Sequence, residues 1–268
     1  MKKFLAGALL SISALTLAAC GDDDSSKLVI GASNVPHAEI LEQVKPILEE
    51  QGIELDIQTY QDYVLPNKDL DSGDLDANYF QHIPYLESQI KDFGYDFVNA
   101  GGIHIEPIGL YSKKYKSIEE LPEGATILMS NSVADHGRVL AMLEAKGLIK
   151  LAEGVDKTTA EISDIVENPK NLQFDPNYES ALMVQLYENN EGDALLINSN
   201  YAIDAGLNPL EDSIAIEEAS ESPYVNVIAV KAGDENKKEI KALVEALHSQ
   251  EIQDFILKEW GGSVVPVD

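Results

Sequence analysis

Strand-like and helix-like segments alternate along this chain from Lys27 onward. "KLVIGAS" (27–33) is a β-branched run that ends in Gly and Ser, typical of a buried strand, and "HAEILEQVKPILEEQG" (37–52) follows with helical spacing. The same order recurs where the strand-like "ATILMS" leads into "SNSVADHGRVLAML" (130–143). Such alternation predicts an α/β fold with mostly parallel sheets, whose ligand sites lie at the carboxyl ends of strands.

Residues 1–19 are predicted to be a signal peptide. Two lysines precede a run of about fifteen small and apolar residues, which is too short for a spanning helix. The run ends in Leu-Ala-Ala-Cys20, which resembles the lipobox of bacterial lipoproteins, where the cysteine becomes lipidated. The alternative is a plain secretory signal with an accidental cysteine. Because Cys20 is the only cysteine, no intrachain disulfide is possible, and residues 20–26 are expected to be the lipidated cysteine and a flexible tether.

The charge balance argues against nucleic acid as a partner. Acidic residues outnumber basic ones by 47 to 19, and cleavage before Cys20 removes two lysines but no acid, so the formal charge changes from −28 to −30. A nucleic-acid-binding protein needs a basic face, so we predict no nucleic acid. The hydrophobic content of 44% is normal for a globular protein, and the ordered part, about 240 residues, fits two lobes better than one core.

Arg138 is the only arginine, and it lies in the helix predicted after "ATILMS". Its planar fork can grip a carboxylate through two parallel hydrogen bonds, and the helix N-terminus beside it favours a small anion. The alternative is a surface pair with Asp135 at i,i+3, worth a few tenths of a kcal/mol. Such a pair would leave fold stability almost unchanged when Arg138 is removed. Since every other basic residue is lysine, we favour the ligand carboxylate.

Aromatic residues cluster in "DANYFQHIPYL" (76–86), with one more in "QDYVLPN" (61–67). Tyr63, Phe80 and Tyr85, with His82, could line an apolar pocket whose rim is polar. The alternative is that these rings are core residues and that His82 is a satisfied structural partner. The residues alone do not decide between the two.

Two asparagines lie in otherwise apolar strand-like segments, Asn198 in "LLINSNYA" and Asn226 in "SPYVNVIAV". A buried amide destabilises the fold unless it finds hydrogen-bond partners. The pair either ties loops together or fixes a zwitterionic ligand.

No catalytic motif is present. The chain lacks G-x-S-x-G, H-E-x-x-H and a P-loop, and it has no second cysteine. The histidines are scattered, at positions 37, 82, 104, 136 and 248. None pairs with another at a ligand spacing such as i,i+4, although a zinc site assembled from distant segments is an alternative. We predict no catalytic residue, no cofactor and no metal.

At the arginine, aromatic and asparagine positions described above, the chain resembles the methionine-binding lipoprotein family (NlpA-type), the extracytoplasmic receptors of methionine ABC importers. The resemblance covers nearly the whole mature chain. It is carried by "PHAEIL", "DYVLPN", "DLDANYFQHIPYL", "YSKKYKS", "GRVLAMLEAKGLIKL", "VENPKNL", "INSNYA" and "SPYVNVI". The "DANxFQHxPYL" pattern is far more specific than a lone nucleotide fingerprint.

The resemblance implies an α/β, two-lobed periplasmic-binding-protein fold (type II) with the ligand in the cleft between lobes. The ligand would be L-methionine or a close derivative, held by the residues that match the family's site. These are Tyr63, Phe80, His82, Tyr85, Arg138, Asn198 and Asn226. It also implies an ABC permease and its ATPase as partners, a lipid anchor on the extracytoplasmic face of the cell membrane, and a monomer.

The predicted lobe 1 comprises residues 27–107 plus 225–268, and lobe 2 comprises 108–224, joined by "EPIGLYS" and "SPYVNVI". One departure concerns the loop before the arginine, where many relatives have an Asn-Asp-Pro-Thr-Asn-like sequence and this chain has "NSVADH" (131–136). Ligand choice therefore stays open among L-methionine, D-methionine, the sulfoxide and a methionine dipeptide. The rivals are a metal receptor of the same fold, a secreted enzyme and a surface interaction protein.

Overall fold

The computed structural model describes residues 26–220 and 222–267. The predicted signal peptide and Cys20 lie outside these residues. Ser26, which the sequence analysis placed in the tether, is the first residue of a strand that pairs with Ile53.

Strands and helices alternate as the sequence predicts. The strands of the described residues are β1 Ser26–Ser33, β2 Ile53–Tyr60, β3 Ala77–His82, β4 Phe97–Ile105, β5 Gly109–Tyr111, β6 Thr126–Ser130, β7 Lys150–Leu151, β8 Ile165–Glu167, β9 Gln173–Tyr178, β10 Ala194–Ile197, β11 Ser213–Ile216, β12 Val225–Lys231 and β13 Val265–Pro266. The α-helices are α1 Glu39–Glu49, α2 Leu65–Ser72, α3 Ile83–Phe93, α4 Val133–Ala145, α5 Met183–Glu188, α6 Ser199–Asp204, α7 Pro209–Asp212, α8 Lys238–Leu247 and α9 Gln250–Trp260.

Two larger sheets organise the described chain. The first has six strands in the order β13-β4-β12-β3-β1-β2, and the second has five in the order β11-β5-β10-β6-β9. In the first, β1 runs parallel to β2 and β3, whereas β12 is antiparallel to β3 and β4 and β13 is antiparallel to β4. In the second, β6 runs parallel to β9 and β10, whereas β5 is antiparallel to β10 and β11.

The prediction of mostly parallel sheets is therefore wrong, because both sheets are mixed. The reason lies in the two crossovers, residues 106–108 and 217–224, that link the sheets. Strand β4 leaves the first sheet at Ile105, and β12 enters it beside that point, where Val225 pairs with Ile105. A strand that enters a sheet beside the end of a strand that leaves it must run antiparallel to that strand. In the second sheet, β5 enters in the same way beside the end of β11.

Each sheet has its own apolar core. On the first sheet, α8 and α9 bury one continuous face, with Leu243 and Ile252 each 0% exposed. Ile240, Leu247 and Ile256 of these two helices are buried with them. A separate cluster under α4 forms the core of the second sheet. No helix within the described residues is long and apolar enough to span a bilayer.

Several of the predicted site residues lie at or just after strand ends, between the two sheets. His82 is the last residue of β3, Asn198 immediately follows β10, and Arg138 lies in the helix that follows β6. Asn226 lies in β12 directly between His82 of β3 and His104 of β4. The fold thus places polar side chains from both sheets around one space.

Candidate functional site

A cavity with about 390 Å³ of empty space, including the part open to solvent, lies between the two sheets. Its lining residues are Tyr63, Phe80, Gln81, His82, Tyr85, Glu106, Asp135, Arg138, Asn198, Ser199, Asn200 and Asn226. All seven residues predicted for the site are among them. Their roles toward a ligand remain predictions.

Three aromatic rings form one wall of the cavity. The ring centroid of Tyr63 lies 5.9 Å from that of Phe80 and 6.0 Å from that of Tyr85, and Phe80 and Tyr85 are 6.1 Å apart. The Tyr85 hydroxyl donates to the Tyr63 carbonyl at 3.1 Å, and the Tyr63 hydroxyl donates to Asn200 Oδ1 at 2.6 Å. These hydrogen bonds fix the polar ends of the tyrosines, so the ring faces are left to line an apolar wall.

His82 bridges the two halves of the cavity. Its Nδ1 accepts a hydrogen bond from the Tyr85 backbone N–H at 3.2 Å, which caps the start of α3. Because Nδ1 accepts, Nε2 is the donor, and it lies 3.0 Å from Asp135 Oδ1 on α4. The histidine is thus a partner of a buried carboxylate and is held in one tautomer.

Arg138 is buried, with 4% of its surface exposed. Its Nε donates to Glu217 Oε2 at 3.1 Å, its Nη2 contacts the same carboxylate, and Nη2 also donates to the Glu106 carbonyl at 2.7 Å. The guanidinium carbon lies 4.5 Å from the ring centroid of Tyr224. One side chain of α4 therefore binds both crossovers, since Glu106 belongs to one and Glu217 to the other.

The alternative of a surface pair with Asp135 is wrong. Asp135 is only 3% exposed, and its Oδ1 lies 3.7 Å from Arg138 Nη1, beyond hydrogen-bond distance. The stronger partner, Glu217, was missed. Nothing marks it in the acidic stretch "IEEASES" (216–222), because its pairing depends on a long-range contact.

Asp135 is ionised although it is buried. Burial opposes its negative charge, but the hydrogen bond from His82, the charge of Arg138 and the amide of Asn198 together lower its pKa to about 2. Its position in the first turn of α4 also favours a negative charge, because the helix N-terminus carries a partial positive charge. Sequence reasoning considered Asp135 only as a helix-turn partner of Arg138.

A second buried network lies behind the cavity and was also missed. Glu106 Oε1 lies 2.8 Å from His104 Nε2 and 3.3 Å from His37 Nε2, and Glu106 Oε2 accepts the Asn200 backbone N–H at 3.0 Å. His37 Nε2 also lies 3.1 Å from Asn226 Oδ1. Burial lowers the pKa of His37 to about 4, against the opposing charge of Glu106, so this ring is neutral at pH 7.

His37, His104 and Glu106 offer three ligand atoms within 4.8 Å of one another and could hold a metal ion. Each of these atoms already has a hydrogen-bond partner in the network. His104 Nδ1, in addition, lies 2.5 Å from the Tyr79 hydroxyl. Hydrogen bonding accounts for the cluster without an ion.

We expect acid to destabilise the fold through His37. Its pKa is 6.5 when unfolded and about 4 when folded, so between these values only the unfolded chain binds the proton. Stability is then fully present above pH 6.5 and falls as pH falls, by about 2 kcal/mol at pH 5. Urea unfolding at pH 7 and pH 5 measures this loss.

The matched variants for this test are His37→Gln and His248→Gln. The first removes the titrating group and should reduce the loss between pH 7 and pH 5, whereas the second alters a half-buried histidine away from the cavity and should leave it unchanged. An equal loss of unfolding free energy in wild type and His37→Gln contradicts the assignment of this loss to His37.

The cavity combines an apolar aromatic wall with charged and amide groups on the facing side. Asn198 Nδ2 lies 3.4 Å from Asp135 Oδ2, and Asn226 Oδ1 faces His37, so both amides have structural partners while they line the cavity. Such a site can hold a small molecule with an apolar part and a charged head group.

Known proteins resemble this chain along nearly its whole length. Residues 28–268 match the NlpA lipoprotein family. The methionine-binding lipoprotein MetQ of Bacillus subtilis is 49% identical over 273 residues, which cover 100% of this chain and 99% of that protein.

Two solved structures share the fold. A pheromone cOB1 precursor and YaeC-family lipoprotein from Enterococcus faecalis is 58% identical, with a TM-score of 0.88 over 90% of this chain and 100% of that chain. A nutrient-binding protein from Burkholderia cenocepacia, bound to methionine, is 41% identical, with a TM-score of 0.83 over 90% of this chain and 100% of that chain. The predicted α/β, two-lobed fold class is confirmed.

Proposed function

Because this chain belongs to the NlpA lipoprotein family, we propose that it is a lipid-anchored extracytoplasmic receptor for L-methionine or a close derivative. The relative from Bacillus subtilis is named for methionine binding, and the structure from Burkholderia cenocepacia contains methionine. The observation that carries the proposal is the cavity, where the aromatic wall faces the only guanidinium of the chain. A receptor of this kind makes and breaks no bond.

The aromatic wall would hold the thioether side chain. Tyr63, Phe80 and Tyr85 present ring faces within about 6 Å of one another, and sulfur is attracted to aromatic rings by roughly 0.3–1.5 kcal/mol per contact. The same wall accepts other unbranched apolar side chains, so the sulfur contacts set the preference for methionine over an isosteric hydrocarbon.

Arg138 would bind the ligand carboxylate. Glu217 occupies the edge formed by Nε and Nη2, whereas Nη1 has its nearest carboxylate at 3.7 Å and so remains for the ligand. A ligand carboxylate would therefore bind at Nη1, because the edge formed by Nε and Nη2 is already paired with Glu217. Asn198 and Asn226, from the two sheets, would complete the head-group contacts, with His82 fixing Asp135, the neighbour of Asn198.

The delivery partners follow from the family and from the N-terminal segment. Acyl chains on Cys20 would hold the protein on the extracytoplasmic face of the membrane, and an ABC permease with its ATPase would receive the ligand from the monomeric receptor. Lobe 1 (27–107 plus 225–268) and lobe 2 (108–224) would open and close about the two crossovers. Closure buries the ligand and lets the transporter distinguish a loaded receptor from an empty one.

The thioether claim is tested with norleucine, which replaces the sulfur of methionine with a methylene. Calorimetry should show that wild type prefers L-methionine, by roughly two- to tenfold for each sulfur–aromatic contact. Phe80→Ala should shrink this preference, whereas Phe93→Ala, which alters a ring that is 62% exposed, should not. Equal wild-type affinity for the two amino acids would contradict the claim that the aromatic wall recognises the sulfur.

A further inference from the structure

The Asp135 carboxylate faces the cavity with unused hydrogen-bond capacity. Its Oδ1 accepts from His82 Nε2 at 3.0 Å, and its Oδ2 has only a long contact of 3.4 Å with Asn198 Nδ2 among the described residues. An ionised carboxylate has about four acceptor sites on its two oxygens. At least one acceptor site on Oδ2 is therefore free for a donor in the cavity.

Glu106, the other carboxylate that lines the cavity, has less capacity left. Its Oε1 is shared by His37 and His104, and its Oε2 accepts the backbone N–H of Asn200. Asp135 is the better placed of the two lining carboxylates for a cationic group of a ligand.

The spacing of charges at Asp135 matches that of an α-amino acid. Asp135 Oδ1 and Arg138 Nη1 lie 3.7 Å apart, so a negative and a positive group are neighbours on one side of the cavity. The ammonium and carboxylate of an amino acid are likewise neighbours, since both are attached to the α-carbon. The ligand's two charges can therefore pair with these two protein groups at once.

The charge balance of the site favours the same ligand class. The positive charge of Arg138 is already matched by Glu217, and Asp135 is a second buried negative charge nearby. A ligand that carried only a carboxylate would add a further uncompensated negative charge beside one guanidinium. A zwitterion adds none, because its ammonium compensates its own carboxylate.

We propose that Asp135 binds the α-ammonium group of the ligand and makes the site select zwitterionic amino acids over acids that lack the amine. This inference rests on the proposed function. It assigns recognition of the ligand ammonium group to Asp135, a role that neither the aromatic wall nor Arg138 fills. The low pKa of Asp135 keeps this partner charged at neutral pH.

The test compares L-methionine with 2-hydroxy-4-(methylthio)butanoate, in which a hydroxyl replaces the ammonium. Wild type should bind L-methionine at least tenfold more tightly by calorimetry. Asp135→Asn should weaken L-methionine by about ten- to 150-fold, the range for a hydrogen bond to a charged group, and weaken the hydroxy acid by less than threefold. Asp254→Asn, an exposed site on α9, is the control and should change neither affinity.

The outcomes separate the inference from the function on which it rests. Equal weakening of both ligands by Asp135→Asn would mean that Asp135 only positions His82 and Arg138, which overturns the inference. Equal wild-type affinity for the two ligands overturns it too, and this result does not depend on how the variant folds. Failure of wild type to bind L-methionine at all removes the proposed function itself.

Discussion

Replacing Arg138 with alanine is expected to weaken L-methionine binding by about thirty- to several-thousand-fold. The substitution leaves the ligand carboxylate in a closed cavity without its cationic partner, a loss of about 2–5 kcal/mol. Arg138→Lys keeps the charge but cannot hold Glu217, the Glu106 carbonyl and a ligand at the same time, so a loss of about tenfold or more is expected. Near-wild-type affinity in folded Arg138→Ala would show that the ligand role is wrong.

The same substitution should also destabilise the fold. Glu217, with 11% of its side chain exposed, would lose its cationic partner, and removing one member of a buried pair costs about 3–5 kcal/mol. The sequence-based expectation of a small change assumed an exposed pair with Asp135, and that premise is wrong because both residues are buried. Melting curves measured beside the titrations show whether the variant is folded.

A double variant separates the two effects of Arg138. Arg138→Ala with Glu217→Gln removes the orphaned charge, so the melting temperature should rise toward that of wild type while methionine binding stays weak. Glu217→Gln alone keeps the guanidinium and serves as the matched control. Recovery of binding in the double variant would mean that Arg138 acts only through the fold.

Replacing Cys20 with serine is expected to move nearly all of the protein from the membrane fraction to the soluble fraction. One acyl chain holds a protein only marginally and two hold it stably, so removal of the acylated thiol removes the anchor. Ligand binding should be unchanged, because the cavity is built from residues 63–226. Ser25→Ala, in the same polar segment, is the control and should stay membrane-bound. Retention of Cys20→Ser on membranes after a salt wash would contradict a lipid anchor.

The residues that line the cavity could be predicted from the sequence where residue type alone was informative. Arg138 is the only guanidinium, and Asn198 follows an apolar strand where ligand sites of α/β proteins lie. The aromatic residues needed the family resemblance, since rings at this spacing pack equally well in a core. The structure places all of these residues around one cavity.

The partners of these residues could not be predicted, for physical reasons. Glu217 and Glu106 reach the site through the two crossovers, and His37 contacts Glu106 from the segment that follows β1. Their pairing depends on contacts between residues at least 32 positions apart, which no local spacing encodes. Strand direction was missed for the same reason, because it is set by where the chain enters and leaves each sheet.

The most direct measurement is a calorimetric titration of L-methionine into wild-type protein that has been freed of bound ligand by unfolding and refolding. We predict saturable binding at one site per chain, weaker binding of norleucine and no saturable binding of zinc. Parallel titrations with D-methionine and a methionine dipeptide rank the close derivatives. Saturable binding of zinc with no response to L-methionine or these derivatives would contradict the assignment of the cavity as a methionine site.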